Sequence, residues 1–475
     1  MKNHLKSLIF LTATVTLTIA AGLFAQERDA VQGYVEFPIR IDTVWVSGND
    51  KTRDEVITRE IPFTLPAELS LEDVQLIQNR VSNLFLFNRV MVTVVNDGLR
   101  NILNIEVAEI YYIYPVPVLF RHDRTWDRIS YGFQLAHINF RGRGEYLSVG
   151  GWGGFNPAFY VRYSNPWVTK ARYTLGLSFY WRKNRNPLVE TLDPEPETLS
   201  AERADFYENE YSGFTVDGRQ LAFGLSLGKR LSHYTRINAN LDIRRIRFDE
   251  DVPAAFSEYI GYHTYPRAEL ELRDDRRDLF EYPRQGHYLQ WVITRSGFTA
   301  DQNRYWRLHL DHRKYFRIQE HFSLGVRNLT TLTSDEPNLS DWTFLGYGER
   351  VRGYYFDRDN GQNRMLNSVE ARISLLPVRY FSWKNAPFLH RYFQQLKYGM
   401  SLALFADSGT LWGIRYHLEE EDLIRSNPPL ALRNFFSGYG FGIHLHLPYV
   451  YLMRFEQAWS DQGDGQFIIE AEVAF

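Results

Sequence analysis

From about residue 127 to its end the chain alternates apolar and polar residues with period two, segment after segment. In RLHLDHR, Arg307, His309, Asp311 and Arg313 share one face, and Leu308 and Leu310 the other. RINANLDIR sets Arg236, Asn238, Asn240, Asp242 and Arg244 against Ile237, Ala239, Leu241 and Ile243. YPRAELELR repeats the pattern, and the last segment sets Phe467, Ile469, Ala471, Val473 and Phe475 against Ile468, Glu470, Glu472 and Ala474. Successive side chains of a strand point to opposite faces, so this pattern dictates two-faced strands and not helices. Alternation alone does not say which face is inside. A soluble sandwich buries the apolar face, whereas a membrane barrel turns it to lipid and lines a lumen with the polar one.

Three observations favour the barrel. The segments run to about 9–14 residues, where strands of soluble proteins average about 5–6. Their ends are rich in Tyr, Trp and Phe, which together reach 16% of the chain and suit membrane interfaces. The N-terminus reads as an export signal: Lys2 and Lys6 precede the apolar run LIFLTATVTLTIAAGLFA, with cleavage expected after Ala25. The fold class is therefore mainly β: a roughly 16-stranded antiparallel transmembrane β-barrel over 127–475, behind one small N-terminal α/β domain.

Other classes fall away. Losing Lys2 and Lys6 with the signal takes the formal net charge from −3 to −5, and no Lys/Arg tract points to nucleic acid. The absence of cysteine removes disulfides, thiolate metal sites and cysteine nucleophiles. Beyond the signal no apolar run is long enough for a spanning helix. No G-x-S-x-G elbow or catalytic pair of carboxylates is present, so no enzyme and no cofactor are expected. GGWGG at 150–154 lacks a lysine and a following helix, and reads as strand end and turn.

Residues 38–110 have a different rhythm. PIRIDTVWVSGND reads as a strand and turn, and Thr52 with Glu55 as a capping pair at a helix start. A second helix begins near Ser70, with Asp73 three residues on and Leu71, Val74, Ile77, Val81 and Leu84 along one face. RVMVTVVNDG and NILNIEVAEI follow as two strands around Asn96-Asp97-Gly98, giving the order β-α-α-β-β.

One segment interrupts the strands. GYGERVRGYYFDRDNG, within 344–362, is long, charged and rich in glycine. In YGMSLALFADSG, Tyr398, Met400, Leu402 and Leu404 form the lipid face, so Ser401, Ala403, Phe405 and Asp407 face the lumen. A carboxylate at Asp407 wants a partner that a guanidinium could supply with two hydrogen bonds. Glu370 and Arg372 share the lumen parity of their strand. Gly438, Gly440 and Gly442 share a lumen face with His444 and His446, and make room for an inserted loop. The two histidines lack a carboxylate at metal-binding spacing and read as polar lining. The acidic stretches 185–217 and 418–429 read as solvated loops.

VRGY at 351–354 resembles the signature of the BamA/TamA superfamily of outer-membrane assembly barrels, which couple POTRA domains to a bacterial surface antigen barrel. NFRGRGEYLSV at 139–149, DDRRDLFEYPRQG at 274–286, NSVEARI at 367–373 and FADSG at 405–409 match in the same order. The module at 38–110 resembles a POTRA domain in element order and in V-x-G-N…T followed by LF…V. The resemblance implies that Val351, Arg352, Gly353 and Tyr354 fold back into the barrel, with Arg352 paired to Asp407 beside Phe405, and Glu370 and Arg372 extending the network. It implies a lateral seam between a first strand near Asp127–Phe140 and the last strand, with Phe467, Ile469 and Phe475 at its edge.

The function so implied is outer-membrane insertion or translocation of polypeptides, with the POTRA domain in the periplasm. The expected partners are unfolded outer-membrane or secreted polypeptides, outer-membrane lipids, and accessory lipoproteins or periplasmic chaperones. A dedicated two-partner-type secretion pore and a passive channel are the alternatives. Relatives carry several POTRA domains, whereas residues 26–37 leave room here for one.

Overall fold

The computed structural model describes residues 37–121, 129–184, 218–248, 261–298, 304–337, 341–346, 348–354, 359–383, 390–419 and 422–473. The expected signal sequence, the insertion at 185–217 and Phe475 lie outside the described residues.

The N-terminal module runs β1 (Ile39–Ile41), β2 (Thr43–Ser47), α1 (Asp54–Thr58), β3 (Ala67–Leu69), α2 (Leu71–Ser82), β4 (Phe87–Asn96) and β5 (Asn101–Glu109). β2 pairs in parallel with β5, which pairs antiparallel with β4, and β1 pairs with β3 apart from that sheet. Two elements thus replace the single strand read from PIRIDTVWVS.

Helix α2 starts where its cap is complete. The Ser70 hydroxyl accepts from Asp73 N at 3.2 Å, and the Asp73 carboxylate accepts from Ser70 N at 2.9 Å. Val74, Ile77 and Val81 are buried, but Leu71, at the first helical position on the flank of that stripe, is 62% exposed. The Thr52–Glu55 cap does not form. Arg53 occupies the N-cap of α1 without a side-chain bond. Thr52 is instead drawn inward: its N–H donates to Glu109 at 2.7 Å, and its hydroxyl meets the Tyr112 hydroxyl at 2.8 Å and Asn139 Nδ2 at 2.9 Å. A tertiary network takes the residue that local pattern gives to the helix.

The rest is one sheet of sixteen strands. It comprises β6 (Ile113–Arg121), β7 (Ile129–Phe140), β8 (Glu145–Gly154), β9 (Ala158–Asn165), β10 (Tyr173–Asn184), β11 (Gly218–Arg230), β12 (Thr235–Phe248) and β13 (Gly261–Asp275). It continues with β14 (Gly286–Ser296), β15 (Tyr305–Arg317) and β16 (Phe322–Thr333), and after an intervening segment with β19 (Asn363–Phe381). That segment carries the short hairpin β17 (Thr343–Leu345) and β18 (Asp359–Gly361). Then come β20 (Leu396–Trp412), β23 (Phe436–Leu447), β24 (Tyr451–Ser460) and β25 (Gly465–Val473). The stretch expected to be a loop near 418–429 contains a hairpin, β21 (Arg415–Glu419) with β22 (Asp422–Ser426). GGWGG forms the last five residues of β8, a strand end as expected.

Neighbours in the sheet are antiparallel, and the turns β7–β8, β11–β12, β13–β14 and β15–β16 lie at one end of it. Phe133, Leu177, Phe223, Leu241, Ile243, Leu270, Ile293 and Leu404 are exposed on the outer face. Asn238, Glu271, Asp311, Ser401, Asp407 and Glu456 are buried on the inner one. This inverts a soluble core and is the pattern of a sheet solvated by lipid.

The sheet begins earlier than the sequence pattern suggested. Its first strand is β6, paired with β7 from Ile113↔His137 to Arg121↔Ile129, and not the segment near Asp127–Phe140. Pro115 and Pro117 mask β6, because proline demotes a segment to an edge position. β6 and β25 are the two ends of the sheet, and among the described residues no ladder joins them.

The module is seated on the turn end. Its core continues to Ile138, Tyr146 and Tyr449 of the large sheet. Arg80 donates to Glu60 and to the His233 carbonyl in the β11–β12 turn, and Arg230 reaches Glu60 at 3.1 Å. Asn83 exchanges hydrogen bonds with Asp278 O and Phe280 N, and Asn88 donates to the carbonyls of Tyr392 and Gln394.

Candidate functional site

Between β16 and β19 the chain turns inward as a strap. Its tip is seated by shape. Val351 packs with Leu329, Leu345, Leu366 and Leu411. Gly353 has φ +104°, and a Cβ there would lie 2.7 Å from Trp459 O, so both conformation and space call for glycine. A Cβ at Gly438 would fall 1.7 Å from Arg352 O, and Gly438 thereby admits the strap. Gly440 and Gly442 instead accommodate their own wall, facing Gln457 and Phe405, and Glu456, respectively.

Arg352 is the centre of the site. Its Nε and Nη2 donate to the two oxygens of Asp407 at 2.7 and 2.9 Å, and its backbone N–H adds a third bond at 3.1 Å. Nη1 reaches Glu370 at 2.8 Å and Glu456 at 3.2 Å, and Nη2 reaches Ser368 at 3.3 Å. The guanidinium lies 3.6 Å from the Phe405 ring centroid. A planar cation satisfied at its edges and stacked on a ring is a role that lysine cannot fill. Side-chain exposure is 13% for Arg352 and 3% for Asp407, so both charges are largely withdrawn from water.

The network runs on toward the turn end. Glu370 accepts from Arg372 at 2.7 Å, and Arg372 donates to Pro283 O and lies over Tyr282. Glu456 meets His444 Nε2 at 3.0 Å, and His444 Nδ1 meets the Tyr282 hydroxyl at 3.1 Å. His446 packs edge-on to Tyr282 and contacts Ser401. Both histidines therefore belong to a hydrogen-bonded wall. Tyr354 packs on Phe436 and donates to Asp461, and Arg350 pairs with Glu470 of β25.

A second anchor was not read from the sequence. Asp341, at the strap's other end, accepts from Arg244 at 2.7 Å, Tyr305 at 2.8 Å and Tyr265 at 3.1 Å, and Arg307 donates to its carbonyl. These partners stand on β12, β13 and β15, whereas Arg352 is held by β19, β20 and β24. One strap touching both walls means that the sheet curls around it. The polar parity of Arg244 was visible, but nothing local marks Asp341 as its counterpart. Beside this anchor a cavity of about 300 Å³ is lined by Ser178, Tyr180, Arg182, Gln220, Asp242 and Arg244.

Of the expected seam residues, Phe467 and Ile469 are exposed on the outer face of β25. They do not meet the latch, which binds this strand from inside through Glu470.

A sixteen-stranded sheet with an apolar exterior and a charged interior, occupied by one of its own loops, defines an outer-membrane β-barrel of the assembly and translocation class. A family model described as the Omp85 superfamily domain matches residues 139–471, and the chain belongs to that superfamily. A comparison with curated protein sequences finds no match. Among solved structures, BamA from Haemophilus ducreyi lacking POTRA domains 1–3 matches with TM-score 0.50 and 13% identity, over 91% of this chain and 85% of that one. CdiB from Acinetobacter baumannii gives 0.47 and 13%, over 91% and 73%. CdiB from Escherichia coli gives 0.46 and 13%, over 94% and 92%. At such identity the likeness is one of fold.

Proposed function

We propose that this protein inserts polypeptides into, or transports them across, the outer membrane, with the module at 38–110 acting as a periplasmic POTRA domain. β2 is an end strand of the module's sheet. An extended client adds to such an edge through main-chain hydrogen bonds, which tolerate varied sequences. The client then reaches the seam between β6 and β25, which parts sideways toward lipid, and strand exchange at that seam requires no covalent chemistry.

The observation that supports this reading is the seam: fifteen neighbouring pairs in the sheet are laddered, and among the described residues its two ends are not. The strap held by Arg352 and Asp341 disfavours a passive pore, since it occupies the space that solute would need. Accessory lipoproteins or chaperones and lipids remain part of the proposal as partners.

Depletion of the protein followed by quantitative proteomics of the outer membrane tests it. General loss of β-barrel proteins is the expected outcome. Loss of a single secreted or surface protein would narrow the role to a dedicated transporter, and an unchanged protein content would refute polypeptide handling.

A further inference from the structure

Where the module meets the sheet, three guanidiniums surround one indole. Arg59 of the module, Arg172 of the β9–β10 turn and Arg230 at the end of β11 stand 5.2, 5.8 and 5.1 Å from the centroid of the Trp167 ring. Trp167 is itself fixed, its N–H donating to Asn165 Oδ1 at 2.9 Å. Like charges so close repel, and the face of one ring offsets only part of that. Carboxylates are scarce here. Glu60 gives one oxygen to Arg230 and the other to Arg80, and Glu145 is held by Arg141 and Asn165. Among the described residues neither Arg59 nor Arg172 pairs with a carboxylate.

Both of these arginines keep donors unspent. Arg59 Nε is shut from solvent without an acceptor, and Nη2 reaches only Arg143 O, at 3.5 Å. Burial, with Arg230 beside it, pushes the Arg59 guanidinium down to about 10, although Glu60 opposes the shift. The Arg172 side chain makes no hydrogen bond among the described residues. Its φ of +66° is a conformation that glycine adopts at less cost, and an arginine held there points to a use for the side chain. The cluster lies where the apolar outer face ends. The β9–β10 and β11–β12 turns share the end on which the module sits, and Val168, Tyr173 and Leu231 are exposed beside them. Lys229, outward on β11, lies over the Tyr173 ring at 5.4 Å. A phosphate answers each observation: it accepts from guanidinium forks in pairs and carries the missing negative charge. On a lipid headgroup, it also sits where apolar side chains give way to cations.

We infer that Arg59, Arg172 and Arg230, grouped around Trp167, bind the phosphate of an anionic lipid headgroup from the leaflet at the turn end. Arg59 belongs to the module, whereas Arg172 and Arg230 belong to the sheet. One headgroup held by all three ties the two parts together, so the lipid helps to seat the module. The site is independent of any polypeptide that reaches the seam.

The test uses the full chain in nanodiscs of phosphatidylcholine, whose choline cancels the phosphate charge, with phosphatidylglycerol added in increasing proportion. Hydrogen exchange is read over 57–61, 166–172 and α2. Protection of these segments is expected to rise several-fold with phosphatidylglycerol, and Arg59→Gln/Arg172→Gln to abolish the response while the strands exchange as before. Native mass spectrometry of the same samples should find several-fold more retained phosphatidylglycerol on the unaltered chain than on the variant. Should the paired change unseat the module, Arg172→Gln alone, in a turn outside both sheets, carries the comparison, and the retained lipid is read without reference to seating. Protection indifferent to phosphatidylglycerol, or equal lipid retention by chain and variant, overturns the inference. Inorganic phosphate added to phosphatidylcholine discs separates the sources. No response to it is expected, and a response equal to that of phosphatidylglycerol would assign the site to a soluble phosphate and overturn the lipid as its ligand.

Discussion

Arg352 shows how much one side chain can fix. Five of its bonds go to carboxylates or a hydroxyl on strands far apart in sequence, so it sets the position of the strap relative to the wall. A buried ion network of this kind need not stabilise the fold beyond a packed apolar equivalent, but losing one partner leaves the others charged and dry. Arg352→Ala is expected to cost about 3–5 kcal/mol in urea-unfolding measurements, and Asp407→Ala about as much. The double variant should fall well short of their sum, and additivity would disprove the pairing. Gly438→Ala reaches the same strap by steric means: its methyl would collide with Arg352 O, and a loss of about 1–3 kcal/mol is expected, read by the same unfolding curves. Asp407 was legible as a carboxylate on the lumen parity of its strand, and its partner Arg352 through the resemblance of VRGY and FADSG to the family's motifs. Glu456 and Tyr282 were not, since many lumen positions share their parity and only the curl of the sheet selects among them.

At the scale of elements, the seat of the module on the turns governs how freely it moves. His233, in the turn whose carbonyl accepts from Arg80, has its pKa held below the usual 6.5 by burial and by the neighbouring Arg80 and Arg172. Above that value the ring is neutral whether the module is seated or released, and seating carries no penalty. As pH falls through 6.5 the released state binds the proton first, so seating weakens until the depressed value in the seated state is passed. The protection of α2 amides, after allowance for the slower intrinsic exchange at low pH, should therefore fall from roughly pH 8 to pH 5, and His233→Asn should remove most of that slope. A slope unchanged in the variant would place the titration elsewhere. The α2 cap was readable because Ser70 and Asp73 satisfy each other locally. The supposed Thr52 cap failed for the converse reason, as Glu109, Tyr112 and Asn139 compete for the same residue from across the module and the sheet.

The whole molecule is a barrel wall, a strap fixed to two of its sides and a module lying across the turn end. Held at both Asp341 and Arg352, the strap stays inside if either anchor alone is broken. Asp341→Asn and Arg352→Ala should each leave conductance in planar bilayers low, and the combined variant should raise it several-fold. A full rise in either single variant would show that the remaining anchor does not hold the strap by itself.

Strand alternation and aromatic ends were enough to read a large two-faced β-sheet, and helical spacing with a local cap a small α/β module, because each depends on side-chain period or on local chemistry, whereas the inward latch was read from the resemblance of VRGY and FADSG to the family's motifs. The tertiary structure decided what depends on distant parts meeting. It placed the first strand at Ile113 despite its prolines, anchored Asp341 opposite Arg352, drew Thr52 from helix to interface and seated the module on the turns. Period two describes a strand's own faces, whereas register, curl and docking are settled by partners that the local sequence does not contain.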